Sequence, residues 1–387
     1  MRWAALLLLA LPAEAQEEAL SEAQVEKAVA AGVSWLKRAQ EGDGSWGPCA
    51  TDRTYEGRTR RTLQFRAGPT LLALYTLGVY GEKKTSPAIR AGYEWLRNHY
   101  RKTQVWTPGG ASTELGTFEA AALLLALPVI HEGPDPPVRR GGKSGYKRPR
   151  GSKVPKDDWR WMREAVVFLT EGSRDSRAGF RGCQTARGGW GYGAATIRTV
   201  DELAATHFVL LGLRSAARAG YPVPAKVWYG ATAYLKEMQT FGGGFGYREP
   251  GKGTVGMTAA GIVSWLICKE HLALAGKRIP PEIDKLLPEK WMHLDRSFVP
   301  DANAGPHPVR PYHFYALWTA GQAATLGGRP YVGGKDWYAD GARYLLAKQE
   351  TDGHWTDPTC IEPRDRLGTC FALLFLRKST PPLRAGR

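Results

Sequence analysis

Two hydrophobic patterns alternate along this chain. The first is apolar on one face and charged on the other, as in "SEAQVEKAVAAGVSWLKRAQ" (21–40) and "DWYADGARYLLAKQ" (336–349), and predicts amphipathic helices. The second is apolar around almost its whole circumference, which predicts helices buried on every side. It recurs in "GPTLLALYTLGVYG" (68–81), "GTFEAAALLLALPVI" (116–130), "DELAATHFVLLGLRSAARAG" (201–220), "GMTAAGIVSWLICKEHLALAG" (256–276), "PYHFYALWTAGQAATLGG" (311–328) and "LGTCFALLFLRK" (367–378). The unit is an outer amphipathic helix, a turn rich in Gly and aromatics, and an inner apolar helix. Six inner segments predict six helical hairpins in an all-α chain. The fifth outer partner, in "PPEIDKLLPEKWMHL" (280–294), lacks the turn signature of the others.

That signature is a repeated phrase, aromatic–Leu–x3–Gln–x3–Gly–x–aromatic. It fits "WLKRAQEGDGSW" (35–46) through Gln40, Gly44 and Trp46, and "YLLAKQETDGHW" (344–355) through Gln349, Gly353 and Trp355. It fits "YLKEMQTFGGGF" (234–245) through Gln239 and Gly243, and its second half fits "QTARGGW" through Gln184, Gly188 and Trp190. A worn copy begins "WLRNHY" at Trp95. The chemistry is structural: Gln satisfies frayed backbone groups at the end of the outer helix, Gly supplies the positive-φ turn, and the aromatic wedges between repeats. Six hairpins either stack in the open or close on themselves, and an open stack needs polar caps. Here the first and last repeats carry the best-matched phrases and the last inner segment is as apolar as the others. The expectation is an (α/α)6 toroid in which the two ends are neighbours.

Composition adds export and charge. "MRWAALLLLALPAEAQEE" has a basic start, a short apolar run and the small-x-small site Ala13–Ala15, which predicts a signal peptide over 1–15, cleavage before Gln16 and a periplasmic or secreted protein. The run is too short to span a bilayer, and no other stretch is long and apolar enough, so no transmembrane segment is expected. The toroid is expected over 16–380. The net charge is +16. It is concentrated in 138–156, with eight Lys/Arg and no acid, inside an irregular insertion at 131–157, and in 53–66, with five Arg against one Glu. These are solvated loops, or a contact surface for anionic glycan, lipid head groups or an acidic partner. No nucleic-acid motif accompanies the charge. The five cysteines are too few for a disulfide scaffold; Cys268 reads as a buried hydrophobe, and Cys49 and Cys360, which follow the two best phrases, are the only candidate pair.

The phrase "WLKRAQEGDGSW" resembles the repeat of triterpene cyclases, squalene–hopene cyclases above all, and of the related protein prenyltransferase β subunits. The resemblance covers about residues 20–378. It implies an α/α toroid whose central apolar cavity takes an apolar, isoprenoid-like ligand. In the cyclases the middle acid of a D-x-D-D motif protonates an alkene. Here "TVDELAA" (199–205) stands at that place, with Thr199 for the first acid and Asp201 and Glu202 for the second and third. The resemblance implies that Asp201 is a general acid. The residues by themselves also allow that Asp201 and Glu202 only favour a helix start, through capping and the macrodipole. The zinc ligands of the prenyltransferases are missing: Gly368 occupies the histidine position of "DRLGTC", and no Asp stands two residues before a Cys. No cofactor motif is present and none is expected. Asp301, His307 and His313 are a candidate metal cluster at the fifth inner helix, weighed against simple coincidence in a loop. Tyr75, Phe118, Phe208, Trp265, Tyr312, Phe314, Trp318 and Phe371 either line a cavity and stabilise cations or form plain core. An anionic-polysaccharide lyase and a non-catalytic interaction scaffold are the alternatives.

Overall fold

The computed structural model describes residues 20–55, 58–102, 116–139, 147–171, 173–175, 179–181, 184–191, 201–251, 253–305, 312–360 and 363–378, with backbone alone at 50–55, 58–65, 173–175 and 179–181. The signal-peptide boundary, Cys183, His307, Thr199 and part of the basic insertion lie outside the described residues.

The chain is mostly helical. The outer helices are α1 (Glu22–Arg38), α3 (Pro87–Trp95, continued by a π-turn over Leu96–Tyr100), α5 (Lys156–Glu171), α7 (Ala225–Glu237), α9 (Pro281–Ser297) and α11 (Trp337–Lys348). The inner helices are α2 (Gly68–Val79), α4 (Gly116–Glu132), α6 (Leu203–Ala219), α8 (Val255–Leu274), α10 (His313–Leu326) and α12 (Arg364–Leu376). All six expected inner segments are helices. Their burial follows the pattern: α2 is buried from Pro69 to Val79, whereas α1 buries only Ala28, Gly32 and Leu36, one stripe at i, i+4, i+8. No described helix is long and apolar enough to cross a membrane.

Each inner helix packs on the next, α2 on α4, α4 on α6, and so on to α12, which packs on α2. The circuit of contacts is closed. It is also parallel, because residues at corresponding heights along neighbouring helices meet at every step. A Cβ on Gly78 would lie 2.6 Å from Val129 Cγ2, and one on Gly212 2.7 Å from the Ala121 carbonyl oxygen. Arg214 pairs with Glu270 at 2.7 Å, a Cβ on Gly256 would meet Ala316 Cβ at 2.9 Å, and the Trp318 and Phe371 rings are 5.5 Å apart. Arg377 Nε donates to Val79 O at 3.1 Å and closes the circuit between α12 and α2. All outer-to-inner connections therefore emerge at the N-terminal end of the inner helices, and all inner-to-outer connections at the C-terminal end.

The departures from the all-helical pattern are small hairpins in these connections. The Arg-rich segment expected as a loop is an antiparallel pair, β1 (Cys49–Tyr55) with β2 (Arg58–Phe65), in which Arg53 faces Arg60 and Asp52 faces Arg61. Two shorter pairs are β3 (Ser173–Asp175) with β4 (Gly179–Arg181), and β5 (Tyr331–Val332) with β6 (Lys335–Asp336). Among the described residues no disulfide forms; Cys268 is buried in α8 as expected, and Cys370 likewise in α12.

Candidate functional site: the N-terminal mouth of the inner helices

The repeat phrase builds the wall of this end. The Gln40 amide donates to Gly44 O at 2.7 Å and to Ala88 O of α3 at 2.9 Å. Gln184 does the same to Gly188 O and Val227 O, and Gln349 to Gly353 O and Ala28 O. Gln therefore clips its own turn to the next outer helix rather than finishing the helix before it. The indole finishes that helix instead, with Trp46 Nε1 donating to Leu36 O, Trp190 to Leu169 O and Trp355 to Leu345 O. Gly44, Gly188, Gly243 and Gly353 all have positive φ, as a turn of this kind requires. Gln239 departs from the set, because its amide returns to Lys236 O. The first and last repeats touch through Gln349 and through Trp35 Nε1, which donates to Asp352 Oδ2 at 3.0 Å.

Two signals of this wall are not in the phrase itself. A threonine of the following inner helix accepts the backbone N–H of each wedge: Thr70 from Trp46, Thr206 from Trp190 and Thr369 from Trp355. A glycine of the next outer helix makes room for the indole, Gly92 for Trp46 and Gly32 for Trp355. "AGVSWL" (31–36) and "AGYEWL" (91–96) carry that glycine three residues before the aromatic.

Asp201 and Glu202 precede α6, and both are buried. Neither fulfils the capping expectation. Glu202 is the N-cap residue, yet its side chain makes no cap bond; it accepts from Tyr247 OH at 2.6 Å and from Arg248 Nε at 2.6 Å. Asp201 Oδ2 accepts from Thr185 Oγ1 at 2.8 Å, and its Oδ1 has no hydrogen-bond partner among the described residues. Burial raises both carboxyls above the usual range. The Thr185 bond and the Arg187 charge oppose it at Asp201; Tyr247 and Arg248 oppose it at Glu202. The two acids diverge, Asp201 towards the third repeat's turn and α7, Glu202 towards the fourth repeat's turn.

Tyr312, the N-cap residue of α10, marks where the repeats meet. It is 38 % exposed and left-handed, with φ 58° and ψ 51°, a conformation that costs a bulky residue about 1–3 kcal/mol. Its phenol is pushed up to about 12, by burial first and then by Cys360, Cys49, Asp357 and Glu202. These belong to the sixth, first and third repeats. Asp357 caps α10 from across the turn, accepting from Phe314 N at 3.0 Å.

Below this lip the inner faces are aromatic. Phe118 of α4 meets Phe208 of α6 at 5.1 Å; Phe208 stacks on Tyr315 of α10 at 5.8 Å; Tyr315 meets Phe371 of α12 at 5.7 Å. His207 shares a 2.9 Å hydrogen bond with Tyr315 OH and is pushed down to about 3 by burial, with the Gln322 side chain opposing the shift, so the imidazole is neutral. Phe118 is half-buried while the helix around it is buried, and Tyr75, Phe208, Tyr315 and Phe371 keep 7–9 % exposure. Phe118, Phe208 and Tyr315 stand in the first two turns of their helices, which sets the cluster of π faces towards this end. Trp265 and Phe314 do not belong to it: Trp265 packs on Phe245 in a satellite core, and Phe314 packs against Tyr344. His313 Nε2 is bonded to Pro300 O at 3.1 Å, and the described residues contain no cluster of three metal-ligating side chains.

No family model matches the chain, and no curated protein matches it in sequence. Solved structures do match in fold. A variant of the type II terpene cyclase MstE from Scytonema, in complex with geranylgeranyl dihydroxybenzoate, superposes with TM-score 0.55 at 12% identity, covering 92% of this chain and 97% of that one. MstE without ligand gives 0.53 at 12% identity over 92% and 98%. A protein from Actinoplanes gives 0.51 at 16% identity over 92% and 99%. The fold of this chain is that of a terpene-cyclase-like all-α protein.

Proposed function

We propose that this chain is an exported (α/α)6 toroid that binds an elongated apolar, isoprenoid-like ligand at the N-terminal mouth of its inner helices. The observation that carries the reading is the aromatic cluster of Phe118, Phe208, Tyr315 and Phe371, which gathers rings from four inner helices, with Phe118, Phe208 and Tyr315 in the first two turns of theirs and Phe118 only half-buried. Hydrocarbon gains about 25 cal/mol for each Å² removed from water there, and the π faces attract any positive charge the ligand carries. The likeness to cyclases that hold a geranylgeranyl compound supports the ligand class.

A proton-donor role for Asp201 extends this reading. Its carboxyl has the features a general acid needs, namely burial, a raised pKa and an oxygen with no partner among the described residues. Glu202 is committed to Tyr247 and Arg248.

The test is a titration of the mature chain with geranylgeraniol, followed by tryptophan fluorescence. The reading expects a saturable change that weakens at least tenfold in Phe208→Ala. An unsaturable signal, or an equal response in the variant, contradicts it. Incubation of wild type and Asp201→Asn with the same compound and product analysis tests the acid: undiminished conversion in the variant removes Asp201 from the chemistry.

A further inference from the structure

The opposite end of the circuit has a different character. The connections that leave the inner helices there carry Lys83 after α2, Lys147, Arg150 and Lys153 between α4 and α5, and Lys277 and Arg278 after α8, all exposed. No acid among the described residues is bonded to any of these six side chains. They form one arc, because the segment after α4 is tied to the end of α6 by Arg139 N donating to Arg218 O at 2.7 Å, and α6 is tied to α8 by the Arg214–Glu270 pair.

Part of the basic character of this end has a local cause. Six parallel helices present their negative dipole ends here, and Arg218 and Arg377 sit where a cation stabilises such an end. That does not account for Lys147, Arg150 and Lys153, which lie along an irregular connection beyond the last turn of α4. Two large apolar side chains stand among the cations: Val138 is 43 % exposed and Leu274, the last residue of α8, is 37 % exposed.

We propose that this end, over the arc from α2 to α8, is a docking surface for an anionic phospholipid bilayer. Cations spread over three separate connections suit a plane of negative head groups, whose attraction sums over each Lys or Arg near the surface. Val138 and Leu274 then enter the interfacial region, which a soluble polyanion does not offer. The docking surface is independent of the ligand at the other mouth and leaves that mouth facing away from the bilayer.

The experiment is co-sedimentation of the mature chain with phosphatidylglycerol vesicles and with phosphatidylcholine vesicles. The expected result is binding to the first only, decreasing as salt rises through the physiological range. Lys147→Glu/Arg150→Glu/Lys153→Glu, folded by circular dichroism, is expected to bind at least tenfold more weakly. Val138→Ser/Leu274→Ser is expected to weaken binding several-fold without changing the salt dependence. No sedimentation with phosphatidylglycerol at low salt overturns the proposal. Unchanged binding in the Val138/Leu274 variant, with equal affinity for soluble dextran sulfate, overturns the bilayer and assigns the surface to a polyanion.

Discussion

Phe208 of α6 stacks on Tyr315 of α10, with ring centroids 5.8 Å apart and planes 15° from parallel, although α8 stands between these helices in the circuit. The contact passes through the middle of the molecule. Among the described residues these rings meet across the space between the two helices, and on the proposed reading a ligand entering from the N-terminal mouth ends on them.

Tyr315→Phe keeps the stack and removes the hydroxyl that shares a hydrogen bond with His207 Nδ1. A buried imidazole nitrogen is left without its partner, which costs about 1–3 kcal/mol. Urea unfolding is expected to show that loss, while the fluorescence response to geranylgeraniol is unchanged.

The wedges depend on room in the neighbouring repeat. A Cβ on Gly32 would lie 2.5 Å from Trp355 Cζ3, whereas one on Gly42 meets nothing within 4 Å. Gly32→Ala is expected to destabilise by about 1–3 kcal/mol through overpacking, and Gly42→Ala to stay within about 0.5 kcal/mol of wild type. Equal midpoints for the two variants would show that the first and last repeats do not pack as described.

Thr369 accepts the backbone N–H of Trp355 at 2.9 Å in a buried site. Thr369→Val preserves shape and strands that donor, with an expected loss of about 1–3 kcal/mol, and Thr369→Ser is expected to restore most of it. The comparison by chemical unfolding separates the hydrogen bond from packing.

The buried ionisable groups set a pH window. His207 stays neutral in the folded protein down to about pH 3, while in the unfolded chain it takes up a proton near its ordinary 6.5. The contribution of His207 is therefore full above pH 6.5 and falls as the pH drops, by about 1.4 kcal/mol per unit for one proton. Asp201, Glu202 and Glu119 act in the other direction. Their folded pKa values are raised, so the unfolded chain ionises first and their contribution is lost as the pH rises from the ordinary carboxyl range through the raised values. Unfolding free energies measured from pH 4 to 8 are expected to show a slope in Asp201→Asn that is more positive than in wild type over the lower part of this range.

Much of this was legible in the residues. Six segments apolar on all sides became six inner helices, because only a helix surrounded by others tolerates that pattern, and the phrase at Trp46 and Trp355 marked the ends that meet. The partners of the phrase were not legible. Thr70, Thr206 and Thr369 stand 24, 16 and 14 positions beyond their indoles, since the intervening connections differ in length. The directions of Asp201 and Glu202 were hidden for a similar reason: adjacent residues before a helix start face opposite ways, one to Thr185 and the other to Tyr247 and Arg248. The stack of Phe208 on Tyr315 needs three dimensions, because those residues sit on helices that do not touch in sequence order.

The most direct measurement is a thermal-shift comparison of the mature chain against isoprenoid lipids and against anionic polysaccharides, since a ligand of the native state raises the melting temperature by mass action. The account predicts a rise with long isoprenoids that is lost in Phe208→Ala and no rise with the polysaccharides. A rise with acidic glycans alone, or silence in both panels, would contradict it.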